Sequence, residues 1–384
     1  MKRLFLYFTL LLFVSLNTNS QNPSADTDLR SRITSLMKDA ESIGLTLAVV
    51  KNNEIVYYDS FGYNPDYNDP GRRKPIDKAG LFRIASVSKT FVATAIFQLV
   101  EKGLIDLDRD INDYLDYSIR NPQFPDIPIT VRMLLGHRSS ITDAKYGTYR
   151  NKLDVFFSPN NVDYKAMFLG NKPGTKYNYS NYGYNILGAV IEKASGTRFD
   201  DYIDDNIIKP LGLTASYNVS KLDSTKFVWA MNYNESKKAF SKSVNMYNPF
   251  TAEMKNYELG KSTAYFSPAG GIKISVLDLA KYMMMHMNYG TYKNVRILSR
   301  KSEEMMQIPS TRGSYTALGF YHSRSSGIEG VDLIGHSGGA FGVYSEMFFN
   351  LEKKFGFVII CNGCNSGHAL GTQVMKELYN VFIK

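Results

Sequence analysis

"LFRIASVSKT", residues 81–90, places Ser86 three residues before Lys89. A serine and a lysine at that spacing make a nucleophile and its base only in the right surroundings. A chain of this length carries about two such pairs by composition alone, and it carries two, the other being Ser35 and Lys38. Context separates them. Beyond Ser86 the apolar residues Phe91, Val92, Ala95, Ile96, Leu99 and Val100 recur at helical spacing, which predicts a buried helix entered at Ser86. A helix N-terminus offers free N–H groups and partial positive charge to a developing anion. Residues i and i+3 share a face, so Lys89 lies beside the Ser86 hydroxyl. A lysine acts as a base only when neutral, and burial in such a helix favours the neutral form. Ser35 has none of this. Lys38 is followed by Asp39 and Glu41, the pattern of a solvated helix face. The plain alternative for either pair is an N-cap serine with a surface lysine.

The rest of the chain bounds the answer. Its 384 residues, 44% apolar and 21% charged, suit one large domain or two lobes sharing a cleft. Lys2 and Arg3, an apolar run over residues 4–16 and the small polar residues 17–20 read as a secretory leader. The run is shorter than the roughly 20 residues a spanning helix needs, and no cysteine precedes Cys361 to carry a lipid. The reading is an exported protein, periplasmic or secreted, with no membrane span once residues 1–20 are removed. The net charge of +9 is scattered, as on a solvated surface, and no nucleic-acid-binding motif accompanies it. Cys361 and Cys364 end an apolar strand. With His368 they supply too few ligands for a closed zinc site, and the sequence context is not that of a redox helix. A structural role is expected, as free thiols or a local disulfide. Met283, Met284, Met285 and Met287 around His286 read as helix packing. No cofactor and no metal are called for.

Strand patterns cluster at the two ends. Residues 28–43 have helical periodicity, and residues 45–63 read as a hairpin turning at Asn52-Asn53. A brief strand at residues 81–84 leads into the serine motif. Near the other end, residues 341–350 and 355–361 read as strands and residues 369–383 as a helix. Residues 90–215 show mostly helical patterns broken by loops. The fold class is therefore α+β: an antiparallel sheet built from N- and C-terminal strands, flanked by helices, with a mostly helical lobe inserted. The expected division of residues 21–384 is an α/β lobe from about 28–90 and 255–384 and a helical lobe from about 91–254, with a site in the cleft between them.

Two further motifs bear on the chemistry. Tyr179-Ser180-Asn181 stands between a Pro-Gly turn and an apolar helical stretch over residues 186–194, so a phenol and a carboxamide leave one loop together. The same triplet spacing recurs at Tyr149 and Asn151 and at Tyr292 and Asn294, without that frame. His336-Ser337-Gly338-Gly339 sits at a strand entry, where small residues let a substrate backbone lie along the strand edge.

The three motifs, in this order, resemble those of the penicillin-recognising serine enzymes: serine β-lactamases, D-Ala-D-Ala peptidases and related esterases. The likeness runs from about residue 40 to 365 and includes "LLGHRSS" (134–140) and "SPAGGIKISVLDLAKYM" (267–283). It is strongest to the branch of class C β-lactamases and D-Ala-D-Ala carboxypeptidases. The resemblance implies a β-lactamase/transpeptidase-like fold and an acyl-enzyme on Ser86. It implies proton transfer shared by Lys89 and Tyr179, either of which is left open as the acylation base. Asn181 would hold Lys89 and the acyl amide. The backbone N–H groups of Ser86 and Gly339 would form an oxyanion hole. His336, Ser337 and Gly338 would meet the substrate's carboxylate end. His336 stands where β-lactamases of the branch carry a lysine, so a partly charged imidazole is expected there. That substitution favours a DD-carboxypeptidase-like hydrolase acting on a small peptide, amide or ester, a peptidoglycan stem peptide or a β-lactam among them. A class C-like β-lactamase, a carboxyl-esterase and a catalytically silent peptidoglycan- or penicillin-binding protein stand as alternatives.

Overall fold

A computed structural model describes residues 23–66, 69, 71–146, 152–243, 246–309, 314–323 and 328–384. The leader reading of residues 1–20 and the Tyr149–Asn151 pair therefore lie outside the described residues. The elements that build the site are helix α1 (Pro23–Asp39), strands β1 (Gly44–Lys51), β2 (Glu54–Pro65), β3 (Arg73–Pro75) and β4 (Phe82–Arg83), and helices α2 (Ser88–Glu101) and α3 (Asn181–Ser195). They are followed by β5 (Ala215–Ser216), β6 (Lys273–Ile274), α4 (Val276–Met287), β7 (Tyr321–Ser323), β8 (Leu333–Ala340), β9 (Val343–Asn350), β10 (Phe355–Cys361) and α5 (Gly367–Phe382).

The main sheet has the order β7-β8-β9-β10-β1-β2-β3, and every neighbouring pair is antiparallel. Strands from both ends of the chain meet at its centre, where Leu47 faces Ile359 across the β1–β10 ladder. Side chains alternate across the sheet. Leu45, Leu47 and Val49 pack with Leu29, Ile33, Leu370 and Val374 under α1 and α5. Ala48 and Val50 face the other way, into a larger core shared with α2, α3 and α4. Both faces are covered, which is why "LTLAVV" is apolar at nearly every position. Truncating Leu47 to Ala would cost about 2–5 kcal/mol by this burial.

The hairpin at residues 45–63 forms as expected, with Asn52 and Asn53 at φ 53° and 66°, the left-handed pair a two-residue turn requires. Other boundaries differ. Helix α1 ends at Asp39 because Glu41 turns to φ 49°. Phe341 and Gly342, read as the start of a strand, are the two-residue turn between β8 and β9, at φ 55° and 81°. The histidine motif is consequently inside β8, not at its entry. The brief strand before Ser86 forms, but β4 joins β6 and β5 in a separate three-stranded sheet. Among the described residues no helix is long and apolar enough to cross a membrane.

Candidate active site

Ser86 sits in a 3-10 turn, Ala85–Val87, wedged between β4 and α2. The turn is sharp, since Ala85 adopts φ 43°, a conformation a residue with a Cβ enters only when its surroundings hold it. Those surroundings are visible. The Ser345 hydroxyl on β9 donates to the Ile84 carbonyl at 2.7 Å, and Ile272 N donates to Ser88 Oγ at 3.3 Å. Gly338 of β8 lies so close that a Cβ there would stand 2.5 Å from the Ile84 oxygen and 2.9 Å from Ser86 N. Gly338 is thus small to let its own strand reach the serine turn, and it does not line the cleft. His336, Ser337 and Gly339 do.

Lys89 follows one turn later and is completely buried. Its Nζ donates to Ser86 Oγ at 3.0 Å, Asn181 Oδ1 at 2.7 Å and the Ala269 carbonyl at 2.8 Å. Burial pulls its pKa from 10.5 down to about 7, partly opposed by Asp143 and assisted by Arg83. The Tyr179 phenol hydrogen-bonds Ser86, and burial pushes it well above the usual phenol range. Lys89 Nζ lies 4.9 Å from the centre of the Tyr179 ring. Ser86, Lys89, Tyr179 and Asn181, distant in sequence, form one cluster. Ser35 and Lys38 are exposed on α1, and Tyr292 and Asn294 belong to a separate hairpin.

Two residues that sequence reasoning passed over hold this cluster. Asp143 accepts from Ser180 Oγ, from the backbone N–H groups of Asn181 and Tyr182, and from Asn181 Nδ2 at 2.8 Å. It caps α3 from outside and turns the Asn181 amide so that its oxygen faces Lys89. Ser180, the N-cap, accepts from Gly183 N. His137 accepts from Ser180 N at 3.1 Å and lies 4.3 Å, ring to ring, from Tyr179. Burial and the nearby Lys89 keep its imidazole neutral. The segment "LLGHRSS" belongs to the resemblance, but nothing in it gives His137, or the aspartate just beyond, a role.

His336 departs from expectation. It is buried at 6% exposure, its Nδ1 donates to the Ser337 carbonyl at 2.6 Å, and burial with Lys89 nearby lowers its pKa to about 3. The imidazole is neutral at physiological pH and brings no charge to the cleft. Tyr321 on β7 donates to Ser337 Oγ at 2.7 Å and accepts from Ser337 N. The cleft is a cavity of about 610 Å³ between these strands, Tyr177 and Tyr179, with Arg138 on its wall. His368, once weighed only as a third metal ligand, also lines it and is tied to Glu346 at 2.8 Å. Cys361 and Cys364 are buried free thiols within the core under α1 and α5. Met283 to Met287 are buried, and His286 Nδ1 lies 2.9 Å from Glu303.

A buried lysine pointed at a serine, with a phenol on the same hydroxyl, is the constellation of one kind of serine hydrolase. The Beta-lactamase family model matches residues 29–377. The chain belongs to that family of β-lactamase-fold serine hydrolases. It is 32% identical over 181 residues to Penicillin-binding protein 4* of Bacillus subtilis, covering 45% of this chain and 38% of that protein. It is 28% identical over 295 residues to the putative penicillin-binding protein PbpX of the same organism, covering 77% and 66%. The chain therefore spans less than two thirds of the length of these two relatives. Among solved structures it is similar to the octameric penicillin-binding protein homologue from Pyrococcus abyssi, with TM-score 0.72 and 25% identity over 92% of this chain and 77% of that one. D-amino acid amidase from Ochrobactrum anthropi SV3 shares the fold, with TM-score 0.69 and 22% identity over 92% and 99%.

Proposed function

We propose that the protein hydrolyses D-amino-acid peptides, or related amides and esters, through an acyl-enzyme on Ser86, in the manner of a DD-carboxypeptidase. The observation that carries this reading is the Lys89 ammonium site. Its three acceptors satisfy the charged form. When Lys89 loses a proton, Asn181 and Ala269 can keep two N–H bonds and leave the lone pair facing Ser86. A pKa of about 7 makes that neutral form abundant near neutrality. Lys89 is accordingly assigned as the acylation base. Tyr179, held protonated by burial, relays a proton toward the leaving group. The N–H groups of Ser86 and Gly339 are assigned to the oxyanion and Ser337 to the substrate's carboxylate end, without help from charge on His336. Similarity to penicillin-binding proteins and to a D-amino acid amidase supports the substrate class. The leader-like N-terminus supports action outside the cytoplasm.

The test follows a penicillin on the protein by intact mass. A long-lived adduct, absent in Ser86→Ala, with little free drug consumed is the expected result. Rapid drug hydrolysis without an adduct would replace this reading with a β-lactamase. Neither adduct nor hydrolysis would leave short esters to separate an esterase from a silent binder.

A further inference from the structure

A second cavity, of about 220 Å³, shares no lining residue with the Ser86 cleft. Two basic side chains line it. Arg83 on β4 and Lys273 on β6 stand directly opposite each other in their ladder, and like charges so placed repel. Both are buried, at 9% and 5% exposure. Among the described residues Lys273 Nζ reaches only the Tyr217 carbonyl, at 3.4 Å. Arg83 donates from one terminal nitrogen to Ser267 Oγ at 3.1 Å and lies 4.8 Å over the Phe341 ring. Its Nε is buried without a hydrogen-bond partner among the described residues. None of the ion pairs among the described residues includes either side chain. Burial, and then Arg83 as its charged neighbour, lower the Lys273 pKa well below the ordinary lysine value, so the amine stays neutral beside the Arg83 charge until an anion joins it. A buried charge left unpaired is costly. Asn185, Tyr146 and Tyr217 add polar groups to the same walls, and aromatic rings supply the rest.

We propose that this cavity is an anion site, in which a compact carboxylate is held between Arg83 and Lys273. The carboxylate could belong to a free organic anion or to an acidic group on a substrate's acyl part, and the chemistry is the same. Arg83 precedes Ser86 by three residues and assists the neutral form of Lys89, so an occupant would be felt at the proposed base. The site itself does not rest on the hydrolase reading.

The test is thermal unfolding of wild type and Lys273→Met across the same sodium acetate series. Acetate at about a hundred times its Kd should raise the wild-type Tm by about 4 °C, saturably. Lys273→Met should melt above the wild type without acetate, because a buried amine with one long hydrogen bond gives way to an apolar chain, and should not respond to acetate. An equal response of the two proteins, or no response of the wild type, overturns the proposal. Paired 4-nitrophenyl hemisuccinate and butyrate esters then identify the source. A preference for the charged ester that Lys273→Met abolishes assigns the site to substrate, whereas acetate altering both rates alike assigns it to a free anion. Melting needs no turnover, so failure of the anion site and failure of the acyl-enzyme reading are distinguishable.

Discussion

Replacing Asp143 with Asn should move the pH dependence of acylation toward acid while lowering its plateau. Lys89 has its pKa lowered from 10.5 to about 7, so its basic form accumulates as pH rises. The single-turnover acylation rate should climb about tenfold per pH unit below 7 and level off above it. Asp143 opposes that depression. It reaches Lys89 through the Asn181 amide, with legs of 2.7 Å and 2.8 Å. Adding the width of the amide puts the two charges about 7 Å apart. At an effective dielectric of about 20–40 that is roughly 1–2 kcal/mol, or about one pH unit. Removing the charge should therefore shift the midpoint to about pH 6. The carboxamide also offers one acceptor oxygen in place of two to the donors from Ser180, Asn181 and Tyr182. The Asn181 side chain loosens, and the plateau should fall about tenfold. Stopped-flow acylation by a chromogenic ester from pH 5 to 9 reads both quantities. A midpoint unmoved, or moved toward alkali, would refute the assignment of Lys89 as a base tuned by Asp143.

Ser86→Ala should abolish turnover of acyl substrates while Ser35→Ala leaves it intact, and equal loss from two folded variants would mean that the choice of serine was mistaken. Lys89→Met should inactivate the enzyme yet stabilise it. The folded-state pKa lies below the unfolded value, so the penalty for burying the ammonium is fully present below pH 7 and gone above pH 10.5. Its upper bound is about 5 kcal/mol, and a gain of roughly 1–3 kcal/mol at pH 6 that shrinks by pH 9 is expected in urea unfolding. Gly338→Ala should cost roughly 1–3 kcal/mol and lower acylation at least tenfold, because the new methyl meets the Ile84 carbonyl, the Ser345 hydroxyl bonded to it and the backbone N–H of Ser86. Normal activity in that variant would show that the strand does not set the serine's position.

The sequence made the sheet and the nucleophile legible for a shared reason. Both are written in local periodicity: alternation in residues 45–63, and a helical stripe after Ser86. What stayed hidden is long-range pairing. Nothing near Asp143 signals that its carboxylate will meet the N-terminus of α3. Nothing near Lys273 signals that its ladder partner is Arg83 rather than a carboxylate. The charge state of His336 is hidden because the sequence shows its type and not its burial. Gly338 reads in sequence as room for substrate, although the Ile84 and Ser86 backbone and the Ser345 hydroxyl fill its space.

The pairing of β1 with β10 also bears on how the protein is made. Leu45 must wait for Cys361 before its ladder can close, so the centre of the sheet forms only after the whole intervening chain has been made. Until then β1 and β2, edged only by the three residues of β3, form a small sheet with one side of β1 unpaired, which is marginal on its own in water. Contacts so far apart in sequence slow folding. A chain emerging from a ribosome should remain open to proteases and chaperones until β10 and α5 arrive. Nascent chains stalled before β10 should accordingly be cut within residues 44–65 by a protease that leaves the finished protein alone.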